Sequence, residues 1–184
     1  MSVFLYMFFH VRKVLLLLMM ICFSSFMFAA AREDFKSRRI SRRVSYILLF
    51  CSLLVRLLAV HGTDALLSGL IVGLQGAFML FLLIELVNLL THFKGIGGGD
   101  IRLILAGGFV LGPDTGLYAL LLSLILAVAV TGIVYAGGYI KQAGDGYGSV
   151  RRTGFRKKRI PLGPYLTAGF LGYMWVNYLS FITD

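Results

Sequence analysis

Long apolar segments alternate with short polar stretches along the whole chain. Several segments reach about 17–25 residues, the length that an α-helix needs to cross the hydrocarbon core of a bilayer. The pattern therefore predicts an all-α membrane protein, a bundle of about six transmembrane helices that form a single domain over residues 1–184. The predicted helices cover residues 14–28 with an end near Ala30, 44–60, 65–90, 100–111, 117–140 and 164–181.

The composition agrees with a membrane bundle and excludes a soluble domain. The chain is 59% hydrophobic and 14% charged, whereas soluble domains are about half apolar and a quarter charged. Its net charge of +10 does not indicate nucleic-acid binding, because the charges lie in short loops between apolar segments. We expect these charges to orient the protein and to contact anionic lipid headgroups, each contributing about 1 kcal/mol near the surface.

The predicted loops alternate in charge. Six Lys or Arg residues follow the first helix and seven lie in a basic loop at 141–160, whereas the second and fourth loops carry only aspartate as a charged residue. The positive-inside rule then places the first, third and fifth loops in the cytoplasm, in a plasma (inner) membrane protein with both termini outside. An alternative is a secretory signal peptide, because Arg12 and Lys13 precede the first segment and three alanines follow it.

Two aspartates are the candidates for chemistry, because ionisable groups at membrane depth are energetically expensive and mark functional sites. Asp34 follows the first predicted helix and Asp100 opens the fourth, so the topology places both on one side at about the same depth. Gly97, Gly98 and Gly99 precede Asp100, and residues without a Cβ permit positive φ and the close approach of another backbone. We expect this glycine loop to hold a substrate peptide; the alternative is a simple flexible turn.

Paired carboxyl groups suit peptide hydrolysis without a metal or other cofactor. One ionised aspartate takes a proton from water while the other, protonated, donates a hydrogen bond to the scissile carbonyl. Because a helix start favours the ionised form and a helix end disfavours it, the sequence predicts Asp100 as the base and Asp34 as the acid.

The remaining intramembrane charges allow a second interpretation. Arg56 and Glu85 fall within the second and third predicted helices, where we expect them to pair with each other; the alternative is that the Arg56 side chain extends to the membrane interface. A polar path through these residues and the two aspartates would instead indicate a small transporter or channel subunit. Small residues at four-residue spacing predict faces where helices pack closely; they are Gly69 and Gly73, then Gly108, Gly112 and Gly116.

Three segments resemble the type IV prepilin peptidases, a family of GxGD membrane aspartyl proteases. Residues 97–103 (GGGDIRL) resemble the family's GxGD-x-K-L segment, and residues 34–40 (DFKSRRI) resemble its other aspartate segment. Residues 160–166 (IPLGPYL) are similar to the Pro-Phe-Gly-Pro stretch that opens its last helix. The three matches occur in family order. Longer members of the family carry an extra cytoplasmic domain with cysteine pairs, and because this sequence shows no such domain it resembles the short, peptidase-only form.

The resemblance implies an activity and a substrate. Asp34 and Asp100 would be the catalytic pair of an aspartic endopeptidase that cuts the basic leader of a pilin-like precursor at the cytoplasmic membrane face. Ser41 and Arg42 stand where the family has Pro and Asn, which bears on how the chain leaves the first helix. The sequence leaves the oligomeric state open.

Overall fold

The computed structural model describes residues 2–37, 40–59, 63–90, 97–144 and 162–183, and this part of the chain is helical with no strand. The predicted all-α membrane bundle of six helices is confirmed, and three helices contain segments that are long and apolar enough to cross a membrane. The helices are α1 (Ser2–Ser37), α2 (Arg42–Ala59), α3 (Thr63–Leu90), α4 (Gly98–Leu111), α5 (Pro113–Gly144) and α6 (Gly163–Thr183).

Two helices extend beyond their predicted ends, because hydropathy marks the membrane and not the last helical hydrogen bond. Helix α1 continues to Ser37, so the polar residues after Ala30 are helical. Helix α5 continues to Gly144, and the rest of the predicted basic loop lies outside the described residues. The alanines of the alternative signal-peptide site lie inside α1, where Ala30 and Ala31 are buried in the bundle.

Helix α4 is the central element. It packs against α2, α3, α5 and α6, while α1 packs against α2 and α6. Its Leu103 and Ile104 are fully buried, together with Leu80 of α3 and Phe170 of α6. We call the end of the bundle where α1 ends and α2, α4 and α6 begin the aspartate end.

Glycines let α3 and α4 approach closely, as their spacing predicts. A Cβ at Gly73 would lie 3.0 Å from the carbonyl oxygen of Phe109, and a Cβ at Gly76 would lie 2.5 Å from the carbonyl carbon of Gly112. Helix α4 ends at Gly112, whose φ of 86° is strained for other residues, and the N–H of Gly112 donates to the Gly108 carbonyl at 2.8 Å. Pro113 then begins α5 and prevents α4 from continuing.

Arg56 binds main-chain oxygens at the end of the bundle opposite the aspartates. Its Nε donates to the Gly69 carbonyl at 3.0 Å and its Nη1 donates to the Val110 carbonyl at 3.0 Å. Val110 lies in the last turn of α4, where carbonyls lack helical partners and the helix dipole favours a cation.

The predicted pairing of Arg56 with Glu85 is wrong. Glu85 lies sixteen residues further along α3 than Gly69, which is about 24 Å at 1.5 Å per residue. Because α2 and α3 run in opposite directions, their two charges fall at opposite ends of the bundle. Arg56 instead lines a cavity of about 280 Å³ beyond the end of α4, among apolar side chains that include Leu16, Val55 and Met174.

The α3–α4 contact yields a stability prediction. Gly76→Ala would place a methyl group against the α4 backbone, and we expect a loss of about 1–3 kcal/mol or more in unfolding free energy. Gly132→Ala is the matched control, because nothing lies within 4 Å of a Cβ there and alanine favours a helix by about 0.5–1 kcal/mol. Denaturation in detergent micelles measures both. Equal stability of the two variants would contradict the close α3–α4 contact.

Candidate active site

Asp34 lies in the last turns of α1 and is buried, with 6% of its surface exposed. The sequence places it just beyond a helix end, and the structure corrects this position to the interior of the helix. Its Oδ2 accepts a hydrogen bond of 2.8 Å from the backbone N–H of Gly163, a residue 129 positions later in the chain. The C-terminus of α1 and the N-terminus of α6 therefore meet at this carboxylate.

The start of α6 is suited to hold a carboxylate. The carbonyl of Leu162 accepts from the N–H groups of Tyr165 and Leu166, and Pro164 has no N–H, so Gly163 supplies a free donor of the first turn. Such a free N–H at a helix start is a common binding position for carboxylate oxygens. A Cβ at Gly163 would lie 2.9 Å from Oδ2 of Asp34, so only glycine fits there without displacing the carboxylate.

Glu33 ties the end of α1 to the start of α2. Its Oε2 accepts a hydrogen bond of 2.9 Å from the N–H of Ser41. Ser41 precedes α2, and its hydroxyl accepts from the N–H of Val44 at 3.4 Å, as an N-cap residue does. The serine that replaces the family's proline therefore has a structural role in starting α2.

Ile40 brings this connection against the start of α4. A Cβ at Gly99 would lie 3.1 Å from the Cβ of Ile40. Through this contact the segment that follows Asp34 lies against the residue that precedes Asp100. Two aspartates that are 66 positions apart in sequence thus belong to one end of the bundle.

The predicted glycine loop is largely helical. Gly97 is the N-cap of α4, with extended φ and ψ of −72° and 149°, and Gly98 and Gly99 form the first turn. None of these three glycines uses the positive φ that glycine permits, because they start a helix. A Cβ at Gly98 would have no described atom within 4 Å, so this side of the first turn is open.

Asp100 is the third residue of α4, where a carboxylate reaches back to the N-cap. A backbone hydrogen bond from Gly97 reaches its side chain, as in the acidic half of a capping box. Its Oδ1 is buried and has no hydrogen-bond partner in the described part of the chain. An unsatisfied buried polar atom is unusual in a native structure, and a catalytic role is one of the explanations for it.

The pKa of Asp100 is raised to about 6, mainly by burial and then by the negative charge of Asp34, while the Gly97 hydrogen bond acts in the opposite direction. Asp100 lies outside the three segments apolar enough to span a membrane. Because its pKa is higher than the ordinary 3.8, its contribution to stability is present below pH about 4 and is lost as the pH rises through about 6. The contribution of the Asp34 charge to the pKa of Asp100 indicates that the two carboxyl groups are close enough to interact.

These surroundings favour the reverse of the roles predicted from helix dipoles. The N–H of Gly163 holds Oδ2 of Asp34 by a hydrogen bond, whereas burial and the charge of Asp34 raise the pKa of Asp100. The sequence argument considered only the helix that carries each aspartate. That argument left out α6, whose N-terminus contacts Asp34. The sequence feature that indicates this helix start is the Gly163-Pro164 pair.

Among the described residues, no group of three or more His, Cys, Asp or Glu side chains is placed to hold a metal ion. Fold and site together define a helical membrane protein with an interacting pair of aspartates at one end of its bundle. The model of the type IV leader peptidase family matches residues 21–133, which include both aspartates, and the chain belongs to this family. It is therefore a peptidase of the leader-processing type, and its family implies pilin precursors as substrates. No curated protein and no solved structure gives a significant match to the chain.

The electrostatics of the pair yield a spectroscopic prediction. With isotope-labelled aspartate, we expect the infrared band of the protonated Asp100 carboxyl to disappear with a midpoint near pH 6. Asp34→Asn removes the negative charge that raises this pKa, so the midpoint moves to lower pH. Asp114→Asn, at an exposed position in the first turn of α5, is the control and leaves the midpoint unchanged. If the midpoint in Asp34→Asn were the same as in the wild type, the two carboxyls would not interact.

Proposed function

We propose that the protein is an aspartic endopeptidase that cleaves the leader of pilin-like precursors, with Asp34 and Asp100 as its catalytic pair. The observation that carries this proposal is the buried Oδ1 of Asp100, which has no hydrogen-bond partner among the described residues and lies within electrostatic reach of the Asp34 charge. An aspartate with one fixed oxygen and one unsatisfied oxygen is prepared to bind water or a substrate carbonyl. Family membership supports the peptidase activity.

The surroundings of the two carboxyls suggest a division of labour. Asp34, ionised and fixed by Gly163, takes a proton from a water molecule whose oxygen attacks the scissile carbonyl carbon. Asp100, protonated, gives its proton to the carbonyl oxygen as the tetrahedral intermediate forms. When the intermediate collapses, the C–N bond breaks, the amine leaves with the proton held by Asp34, and Asp100 recovers its own proton. The protons belong to the coupled pair, so kinetic pKa values describe both residues together.

The position of the site supports a substrate that is cut at the membrane surface. Asp34 lies at the end of a helix segment that is apolar enough to span a bilayer. The side of α4 at Gly98 is open, so an extended leader can reach Asp100 from there. Glycines 97–99 would then contact the substrate through the open first turn of a helix and not through a flexible loop.

The basic residues of the aspartate end support a cytoplasmic orientation. Arg32, Lys36, Arg42 and Arg43 are all exposed there, and the positive-inside rule places such clusters in the cytoplasm of a plasma-membrane protein. Because these charges would repel a basic leader, we assign them to anionic lipid headgroups. The transporter interpretation is less well supported. Arg56 is bound to carbonyls at the end of the bundle opposite the aspartates, and apolar side chains such as Leu103 lie buried between the two ends.

Processing of a tagged pilin-like precursor in membranes tests the catalytic pair. We expect Asp34→Asn and Asp100→Asn each to slow cleavage by about 10²–10⁴-fold, the range for loss of general acid–base catalysis. Asp114→Asn, which alters an exposed aspartate at the opposite end of the bundle, should cleave at the wild-type rate. Normal processing by either Asn variant at the aspartate end would exclude the pair.

A second test addresses the contact that fixes Asp34. Gly163→Ala inserts a methyl group 2.9 Å from the Asp34 carboxylate, and we expect cleavage to fall by up to about 10²-fold, as for a displacement of about 1 Å. Gly172→Ala, on the same helix with no described atom within 4 Å of the new methyl group, should retain the wild-type rate. Helical content by circular dichroism should match in both variants. Equal cleavage rates would show that the Gly163 contact does not position Asp34.

A further inference from the structure

A polar side chain is exposed near the middle of α3. Gln75 lies in the segment Ala65–Leu90, which is long and apolar enough to cross a membrane. It is ten residues from Ala65 and fifteen from Leu90, or about 15 and 22 Å. With a hydrocarbon core of about 30 Å, its amide is too deep to reach either interface.

This amide has no partner in the described part of the chain. Gln75 is exposed, and it forms no hydrogen bond or ion pair with any other described residue. The other polar residues near the middle of the bundle differ in this respect, since the buried hydroxyls of Ser24, Ser52 and Ser123 each donate to a carbonyl of their own helix. Water is absent from the bilayer core, so an amide that faces lipid loses the hydrogen bonds it would make in water.

The residues around Gln75 form a continuous exposed stripe. Ser68, Ile71, Gln75, Phe78 and Leu82 are all exposed and follow one another at spacings of three and four residues. This is the seven-residue pattern along which two helices cross at a small angle. We call these five residues the α3 stripe.

We propose that the α3 stripe is the interface of a homodimer, in which Gln75 of one copy hydrogen-bonds to Gln75 of a second copy. Two copies with the same membrane topology are related by a two-fold axis along the membrane normal, so every residue near the axis meets its counterpart at the same depth. An amide carries both a donor and an acceptor and is therefore complementary to itself. A second copy of the chain therefore supplies an amide that can pair with Gln75 at the same depth in the membrane.

This arrangement leaves the catalytic end unobstructed. Gln75 lies on α3, whereas the two aspartates are carried by α1 and α4. The dimer therefore does not depend on the proposed chemistry, and failure of one proposal leaves the other intact.

Oxidative crosslinking in membranes tests the interface directly. In a chain with Cys22 and Cys51 replaced by alanine, we expect Gln75→Cys to form a disulfide-linked dimer in high yield. Ile125→Cys is the matched control, since Ile125 is 63% exposed near the middle of the apolar segment Pro113–Val134 of α5. Equal crosslinking at the two positions, or crosslinking of residue 75 to a co-expressed precursor and not to a second copy, would overturn the proposal.

Energy transfer between labelled copies in vesicles tests the hydrogen bond with the native cysteines in place. Gln75→Leu keeps the approximate size of the side chain but removes the amide. We expect the dimer dissociation constant to rise about three- to twenty-fold, as interhelical hydrogen bonds in membranes indicate. Gln75→Asn keeps an amide and should retain more of the dimer than leucine does. An unchanged dissociation constant in Gln75→Leu would refute the role of Gln75, and a monomeric wild-type protein would refute the dimer.

Discussion

The hydrogen bond from the Gly163 N–H to Asp34 is the contact on which the site depends. It joins the C-terminus of one helix to the N-terminus of another that begins 129 residues later. A hydrogen bond to a charged group contributes about 1.5–3 kcal/mol, more than a neutral one. The contact therefore draws the two helix ends together and also fixes the position of the carboxyl group. The same hydrogen bond holds the two helices together and positions a side chain of the proposed catalytic pair. A change that disturbs the start of α6 therefore also disturbs Asp34.

The short central helix explains why the two ends of the bundle differ. Helix α4 has 14 residues, about 21 Å of length, and cannot by itself cross the hydrocarbon core. Its N-terminus lies at the aspartate end and presents Asp100. Its C-terminus stops within the bundle at Gly112, where Arg56 binds the Val110 carbonyl and a cavity remains. The unsatisfied carbonyls of a helix that ends inside the protein thus account for an arginine at that depth.

The sequence predicts the helices, their order and the two aspartates, because each of these leaves a local pattern. Apolar runs mark the spans, and an aspartate behind three glycines is conspicuous without any structure. It does not predict that Asp34 lies inside α1, because the apolar run ends before the helix does. It also does not predict the partners of Arg56, because main-chain oxygens carry no residue identity. The Asp34–Gly163 contact joins distant segments, and only the packing of α1 against α6 reveals it.

The two aspartates lie at helix ends of opposite polarity, and an argument from the helix that carries each aspartate leaves out the contacts that other helices make with it. Asp34 is close to the C-terminus of α1, whose dipole opposes a negative charge, but the N-terminus of α6 faces the same carboxylate and donates a hydrogen bond to it. Asp100 lies at the favourable end of α4, yet burial and the Asp34 charge together raise its pKa to about 6. A donor at 2.8 Å acts on one oxygen directly, whereas a dipole is spread over a whole turn. The immediate neighbours of each carboxyl come from elsewhere in the chain, so they have to be considered beside the dipole of the helix that carries it.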